Sequence, residues 1–179
     1  KKLQRECVLL DDDIRWLVAL ISDSGMRLSE AVGLLVDDIV LDAEQPHITL
    51  VKHPHRRLKT DASERVIPLV GASLWAARRI KENTTSRFCF SRYCSEDNCN
   101  SNSASAAINK WIKTIVGSEG VIHGLRHGFR DRLRAVEAPV DMIDQMAGWS
   151  LRSGGQGYGD GYPLDLLHRW MERIAIGEQ

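Results

Sequence analysis

The residues of this chain best suited to chemistry are a histidine and an arginine three positions apart, followed by a tryptophan and a tyrosine. On a helix, His123 and Arg126 share one face, so a hydrogen-bonding base and a permanent guanidinium can converge on one anion, most obviously a phosphate. Trp149 offers an indole donor, and Tyr158, nine residues later, offers a phenol that can act as a nucleophile once its proton is removed. The alternative is a solvated helix beside a glycine-rich surface loop, and each residue taken alone favours it.

Two upstream segments carry further residues of the same kind. Arg27 and Glu30 stand three apart at the start of an apolar helix, directly after the helix-stopping pair Ser24-Gly25. Lys59 lies in a polar, turn-like run that leads into the strand pattern of residues 65–67. The chain therefore presents several cations ahead of the candidate nucleophile.

This ordered set resembles the catalytic residues of the tyrosine recombinase (phage integrase) family. In that family the first Arg lies in a Gly-x-Arg-x-x-Glu context, the Lys precedes a Val/Ile-Pro-Leu strand, and the next motif is His-x-x-Arg. A His or Trp then stands nine residues before the nucleophilic Tyr. The resemblance spans nearly the whole chain, and the matching residues are Arg27, Lys59, His123, Arg126, Trp149 and Tyr158.

The resemblance implies breakage and rejoining of DNA through a 3′-phosphotyrosyl intermediate, with no metal ion and no other cofactor. Tyr158 would attack the phosphate, and Arg27 and Arg126 would bracket its non-bridging oxygens. Lys59 would be the general acid for the departing 5′ oxygen, and His123 would take the tyrosine proton.

Trp149 completes the catalytic set, and Glu30 and His127 receive supporting roles. Trp149 would donate a hydrogen bond to the phosphate. Glu30 is expected to orient Arg27 rather than act as a base, and His127, adjacent to the second arginine, is expected to pack or bond locally.

The resemblance also implies partners: double-stranded DNA and, on DNA, a homotetramer, with a monomer possible for the isolated domain. We expect residues 1–179 to form a single C-terminal catalytic domain, truncated before the N-terminal DNA-binding domain that family members usually have. Residues 163–175 form the last predicted helix. It could pass to a neighbouring subunit or pack in its own core, and its periodicity fits both.

Two other functions remain open. A type IB topoisomerase would share this chemistry but relax supercoils without strand exchange. A non-catalytic DNA-binding descendant would be expected to lose at least one of the six residues, and all six are present.

Charge alone does not indicate a nucleic-acid partner, because the 24 basic and 24 acidic residues cancel. The distribution is more informative, since residues 51–80 are strongly basic. From this stretch we predict DNA contacts by Lys52, Arg56, Arg57 and Arg65. The alternative is an ordinary solvated hairpin.

Length and composition favour one compact domain in the cell interior. At 179 residues and 43% hydrophobic the chain can bury one core, and it has neither a membrane-spanning run nor a secretory leader pattern in its first residues. Together with the family resemblance, this implies a cytoplasmic, nucleoid-associated protein of bacterial or phage origin. Cys89, Cys94 and Cys99 lack the spacing of a zinc site, so reduced thiols and no metal site are expected.

Apolar periodicity predicts an α+β fold, mainly α-helical with a small three-stranded antiparallel sheet, as in the tyrosine recombinase catalytic domain. Strands are predicted at residues 39–41, 47–51 and 65–67, and residues 84–103 read as a polar loop. Helices are predicted after the Asp11–Asp13 cap, at 27–35, 71–81, 103–116, 123–135 and 139–146, and after Pro163.

Tyr162 competes with Tyr158 as the nucleophile. Residues 154–161 are too rich in glycine for a rigid element, which suits a tyrosine that must be repositioned but fits a plain connecting loop equally well. Only Tyr158 keeps the nine-residue spacing from Trp149, so we predict Tyr158.

Overall fold

The computed structural model describes residues 1–60, 63–149 and 161–175. In these residues the chain forms eight α-helices, one 3₁₀ turn at Val36–Asp38 and one antiparallel sheet. The helices are α1 (Lys2–Leu10), α2 (Asp13–Ser24), α3 (Leu28–Val32), α4 (Gly71–Asn83), α5 (Ser101–Val116), α6 (His123–Ala135), α7 (Val140–Ala147) and α8 (Leu164–Glu172). The predicted α+β fold is confirmed.

Helix α2 is the centre of the core, and it is buried along nearly its whole length. It begins at the predicted aspartate cap, where the Asp12 side chain accepts a hydrogen bond from the backbone N–H of Arg15 at 3.0 Å. It packs against α1, α4 and α6. The helix ends at Gly25, whose φ of 63° is a left-handed conformation that glycine adopts without strain. The chain therefore turns sharply just before Arg27.

The sheet has the strand order β1-β2-β3, with β1 at Ile39–Val40, β2 at His47–Leu50 and β3 at Arg65–Pro68. Ile39 pairs with Ile48, and Ile48 pairs with Ile67, so one isoleucine from each strand enters the core on the same face. The β2–β3 connection carries Lys59. The sheet thus holds both ends of the loop that presents this lysine.

Helix α8 packs against its own chain. Leu167, Met171 and Ile174 are buried, and α8 lies against β3. This packing within the chain is one of the two placements that the periodicity of residues 163–175 fits.

Two parts of the fold differ from the sequence prediction. Helix α1 was not predicted, because only Leu3 and Cys7 of its apolar residues are buried, whereas Val8, Leu9 and Leu10 are exposed. The loop predicted to be polar contains buried Phe88, Phe90 and Tyr93, so aromatic side chains anchor it to the core.

The cysteines also differ from the expectation of reduced thiols. Cys94 and Cys99 form a disulfide, with Cα atoms 4.2 Å apart across an antiparallel bridge that joins these same two residues. The turn between them brings the two side chains face to face, which the spacing in sequence does not reveal. Cys7 and Cys89 are free and buried.

Among the described residues, no helix combines the length and the apolar character that a membrane span requires.

Candidate active site

Arg27 lies at the N-terminus of α3, immediately after the turn at Gly25. Its Nη2 donates to the backbone oxygen of Gly148 at 2.8 Å, and its Nη1 donates to Glu30 Oε1 at 2.5 Å. Its backbone N–H donates to Glu30 Oε2 at 2.9 Å. Main chain and side chain are both fixed, so the guanidinium has one orientation.

Glu30 is the centre of this arrangement, and a second arginine holds it from the sheet. Arg65 Nη2 donates to Glu30 Oε2 at 3.0 Å, while Arg65 Nε donates to the backbone oxygen of Met146 at 2.9 Å. Burial acts to raise the pKa of Glu30, but Arg65 and Arg27 outweigh it and hold the pKa below its usual value. Glu30 is therefore a carboxylate at neutral pH.

Arg126 projects from the first turns of α6 into the same region, and it is buried. Its Nη1 donates to the backbone oxygen of Gly25, and its Nη2 donates to that of Ala147 at 3.1 Å. Burial lowers the pKa of Arg126 to about 10; Glu30 opposes this shift, and Arg27 and Arg65 add to it. The guanidinium remains charged at neutral pH.

The end of α7 joins the two arginines. Ala147 and Gly148 offer consecutive carbonyl oxygens, one to Arg126 and one to Arg27. Gly148 has a φ of 65°, and a Cβ placed there would lie 2.5 Å from Arg65 Nη1. Only glycine fits this turn, so the geometry that orients both guanidinium groups depends on its lacking a side chain.

Three guanidinium groups thus surround one carboxylate, and the cluster carries excess positive charge. Arg27, Arg65 and Arg126 face only Glu30 as an acidic partner among the described contacts. Part of the Arg27 side chain remains accessible, at 23%. Such a preorganised, cationic surface is suited to stabilising charge on a phosphate.

Trp149 lies beside this cluster, between two arginines of α6. The Arg126 guanidinium carbon is 5.2 Å from the centre of the indole ring, and that of Arg130 is 4.7 Å away. The sequence prediction overlooked Arg130. Its position four residues after Arg126, on the same helix face, was the available signal.

His123 and His127 occupy adjacent turns of α6, and both are exposed. Their rings meet edge to face, with centres 4.8 Å apart. Burial lowers the pKa of His123, and His127 and Arg126 lower it further. A small pocket of about 210 Å³ adjoins His123 and Arg126. His123 is thus favoured in the neutral form that accepts a proton.

Lys59 is exposed in the β2–β3 connection, and within the described part of the chain no hydrogen bond or ion pair joins it to the arginines. Its neighbour Thr60 is tied to them through Ser63, a buried residue that the sequence prediction also overlooked. Ser63 Oγ accepts from Arg27 Nη1 at 3.2 Å and lies 3.1 Å from Thr60 Oγ1. Ser63 therefore links the residue that follows Lys59 to Arg27.

The structure corrects two of the four predicted DNA contacts. The Arg56 side chain is 1% exposed and donates to Asp38 Oδ2 at 3.3 Å and to the Gly33 oxygen at 3.1 Å. The Arg65 side chain is 4% exposed and paired with Glu30. Neither reaches the surface, so neither is placed to contact a phosphate backbone.

Lys52 and Arg57, the other two predicted contacts, are exposed. They remain the candidates for binding DNA through this hairpin.

Tyr158, the predicted nucleophile, lies outside the described residues. Its rival Tyr162 is described, and its hydroxyl donates to Asp141 Oδ2 at 2.8 Å. This hydrogen bond, together with some burial, raises the pKa of Tyr162. The Tyr162 hydroxyl is therefore engaged by Asp141 and ionises less readily than a free phenol.

Within residues 1–60, 63–149 and 161–175, no group of three or more His, Cys, Asp or Glu side chains could hold a metal ion.

The family of this chain follows from a match between its sequence and a known protein family. The sequence model of the Phage integrase family matches residues 9–160. The chain belongs to the phage integrase family. This match spans Arg27, Glu30, His123, Arg126 and the segment that contains Tyr158.

Solved structures of integrases have a similar fold. One is the Tn1549 transposon integrase in complex with circular intermediate DNA, with 20% sequence identity and a TM-score of 0.56 over 90% of this chain and 59% of that one. Another is a Tyr-to-Phe variant of the same integrase with transposon right end DNA, at 16% identity and a TM-score of 0.54, over 89% and 58%. The phage integrase chain described here thus spans about three-fifths of these chains. No curated protein matches its sequence.

Proposed function

We propose that this chain is the catalytic domain of a tyrosine-type site-specific DNA recombinase, which breaks and rejoins DNA through a 3′-phosphotyrosyl intermediate. One observation carries the proposal: Arg27 and Arg126 are fixed by the consecutive carbonyl oxygens of Gly148 and Ala147. Membership of the phage integrase family and a fold similar to integrases bound to DNA add support.

In the proposed reaction the Tyr158 oxygen attacks phosphorus, and the bond from phosphorus to the 5′ oxygen breaks. His123 takes the tyrosine proton, and Lys59 gives a proton to the 5′ oxygen. Arg27 and Arg126 stabilise the charge on the non-bridging oxygens, and Trp149 donates a further hydrogen bond. The phosphotyrosyl bond conserves the energy of the broken bond, so rejoining by the reverse path requires no nucleotide cofactor.

The arginine cluster performs the electrostatic work that metal ions do in two-metal nucleases. Arg27, Arg65 and Arg126 are held in place before substrate binds, so stabilising the five-coordinate phosphorus of the transition state requires little reorganisation. The proposed reaction therefore needs no cofactor.

A homotetramer on double-stranded DNA is part of the proposal, because strand exchange between two duplexes needs four active sites. The proposed setting is the cytoplasm, in association with the nucleoid. Lys52 and Arg57 are the proposed backbone contacts of the basic hairpin.

Covalent trapping tests the proposal directly. The protein is incubated with nicked duplexes of random sequence in excess EDTA, and denaturing gels are used to detect protein joined to DNA. The wild-type protein and Tyr162→Phe should form the adduct, whereas Tyr158→Phe should not, because only that change removes the nucleophilic oxygen. An adduct that survives Tyr158→Phe, or one that requires Mg²⁺, contradicts the mechanism.

The trapped sequences then separate recombination from the two other functions. Joining of two duplexes that carry a selected site is expected. Relaxation of supercoiled plasmid without joining indicates a topoisomerase, and binding without any adduct indicates a non-catalytic module.

A further inference from the structure

Arg130 is a half-buried arginine of α6 whose guanidinium has neither a hydrogen bond nor an ion pair within the described part of the chain. Its Nε is buried without an acceptor. Two other arginines of the same helix are engaged: Arg126 Nη2 donates to the Ala147 oxygen at 3.1 Å, and Arg132 Nη1 donates to Asp23 Oδ1 at 2.7 Å. A buried donor without an acceptor is unusual in a folded protein, so the placement of Arg130 needs another explanation.

The group that Arg130 does contact is the indole of Trp149. The Arg130 guanidinium carbon lies 4.7 Å from the centre of the ring, closer than that of Arg126 at 5.2 Å. The face of an indole carries negative electrostatic potential, which attracts a cation placed over it. Residues four apart on a helix share one face, so both arginines reach the ring from adjacent turns of α6. The ring therefore offsets part of the repulsion between two cations that lie no more than about 10 Å apart.

The main chain of Trp149 is fixed, whereas the direction of its indole N–H is not set by any hydrogen bond among the described residues. The backbone N–H of Trp149 donates to the Asp144 oxygen at 2.9 Å. This bond leaves the two side-chain torsions to be set by contacts with the ring. By contrast, the indole N–H of Trp16 is itself bonded, donating to Asp11 Oδ1 at 2.7 Å. The Trp149 donor is thus available to a ligand, and its orientation depends on what holds the ring.

Arg130 is better placed than Arg126 to hold that ring. The position of the Arg126 guanidinium is set by the backbone oxygens of Gly25 and Ala147. In the proposed reaction Arg126 also binds the phosphate, whose negative charge weakens its attraction to the indole. Arg130 has no such competing partner among the described residues, so its contact with the indole persists when DNA is bound.

We propose that Arg130 is a positioning residue for Trp149: its guanidinium holds the indole so that the ring N–H donates to the phosphate bound by Arg27 and Arg126. The inference rests on the proposed function, in which Trp149 donates that hydrogen bond. Arg130 does not touch the phosphate. Its effect is to keep the Trp149 donor in the reactive orientation before DNA binds.

Arg130→Met tests this role, because methionine keeps an apolar stem and removes the cation. At saturating protein on nicked random-sequence duplexes, adduct formation should slow by about twofold to thirtyfold, the range that one lost cation–π contact allows. DNA affinity should change little. An unchanged rate overturns the proposal.

Two further variants separate the contact with the ring from a general loss of charge. Arg130→Lys retains a cation that can lie over the ring, so it should react faster than Arg130→Met, and equal rates overturn the cation–π contact. Arg134→Met is the matched control: it removes the same charge one turn later on α6, from a side chain that is 54% exposed, and it should keep the wild-type rate.

A double-mutant cycle with Trp149→Phe distinguishes positioning from direct contact with DNA. Phenylalanine keeps a ring but has no N–H, so no donor is left for Arg130 to orient. Arg130→Met should therefore slow adduct formation in the wild-type background and have little further effect in Trp149→Phe. An equal loss in both backgrounds means that Arg130 acts on the phosphate or on folding, and it overturns the positioning role.

The contact has a spectroscopic signature that does not depend on activity. The chain contains five tryptophans, and labelling with 5-fluorotryptophan identifies Trp149 by the fluorine resonance that Trp149→Phe lacks. This resonance should move in Arg130→Met and stay in place in Arg134→Met. A resonance that does not move in Arg130→Met overturns the contact. A wild-type chain that forms no adduct contradicts the proposed function itself, so the two failures are distinguishable.

Discussion

Arg65 and Glu30 form a buried ion pair, with Arg65 Nη2 and Glu30 Oε2 3.0 Å apart and their side chains 4% and 3% exposed. The other carboxylate oxygen of Glu30 accepts from Arg27. The orientation of Arg27, which would touch the phosphate, is therefore set by the Arg65–Glu30 ion pair, which solvent does not reach.

The first prediction is that Glu30→Gln destabilises the protein at pH 7 by about 3 kcal/mol, because it leaves buried Arg65 without its countercharge. Urea unfolding measures the loss. The exposed Glu44→Gln is the control and should change the free energy of unfolding little.

The same variant has a defined pH dependence. The pKa of Glu30 is lower in the folded protein than its ordinary value of 4.5. The contribution of the ionised Glu30 to the free energy of unfolding is therefore complete above pH 4.5, and it declines as the pH falls through the pKa of the folded state. The difference in the free energy of unfolding between the wild-type protein and Glu30→Gln should therefore decrease at acidic pH. A deficit that is constant with pH contradicts the ion-pair explanation.

The second prediction separates two adjacent arginines of the basic hairpin. Arg56→Ala should lower the free energy of unfolding by about 3 kcal/mol, because it removes a buried partner of Asp38. Arg57→Ala should leave stability unchanged and should reduce the salt slope of DNA binding by roughly 0.9. Unfolding curves and binding titrations at several salt concentrations give both values. Equal effects of the two changes on DNA affinity would contradict the assignment.

Much of the fold could be predicted because its signals are local. The aspartates before α2 cap it as expected, α6 has the predicted bounds, and the β-branched runs form the three predicted strands. Helix α1 could not be predicted in this way, since its apolar residues are divided between core and surface. Its position depends on packing against α2, which no local pattern encodes.

The candidate site, like the fold, could be predicted only in part from the sequence. Spacing alone placed His123 and Arg126 on one helix, and motif order indicated Arg27. Counting charges could not distinguish exposed Arg57 from buried Arg56, because burial depends on contacts with residues distant in sequence. Ser63 carries no charge and belongs to no motif, so only the three-dimensional contacts reveal it.

The third prediction concerns His123, whose pKa lies below 6.5 partly because of His127. In the proposed reaction the neutral imidazole of His123 accepts the tyrosine proton, so a lowered pKa of His123 would keep the reaction active at lower pH. His127→Asn removes one cause of the lowering, and the acid limb of the rate of adduct formation should move to higher pH. An NMR titration of His123 should show the same upward shift, and an unchanged titration would contradict the coupling.

The fourth prediction is that the native protein reacts slowly with thiol reagents. Cys94 and Cys99 are joined, and burial raises the pKa of Cys7 to about 12 and also raises that of Cys89, so little thiolate is present. Denaturation without reductant should expose two thiols, and denaturation with reductant should expose four. Rapid reaction of four thiols with the reagent in the native protein would contradict the disulfide between Cys94 and Cys99.

The last prediction assigns separate roles to Lys59 and Arg126. If Lys59 protonates the departing 5′ oxygen, Lys59→Ala should slow cleavage of bound DNA by about 10² to 10⁴ while affinity changes little. A substrate with sulfur at the 5′-bridging position has a leaving group that needs no proton, so it should restore much of the Lys59→Ala rate. It should restore the rate of Arg126→Ala far less, because in the proposed reaction that guanidinium stabilises charge on the non-bridging oxygens. Cleavage rates on matched oxygen and sulfur substrates make the comparison. Equal rescue of both variants, or none for Lys59→Ala, would leave Lys59 as a backbone contact and assign the proton to another group.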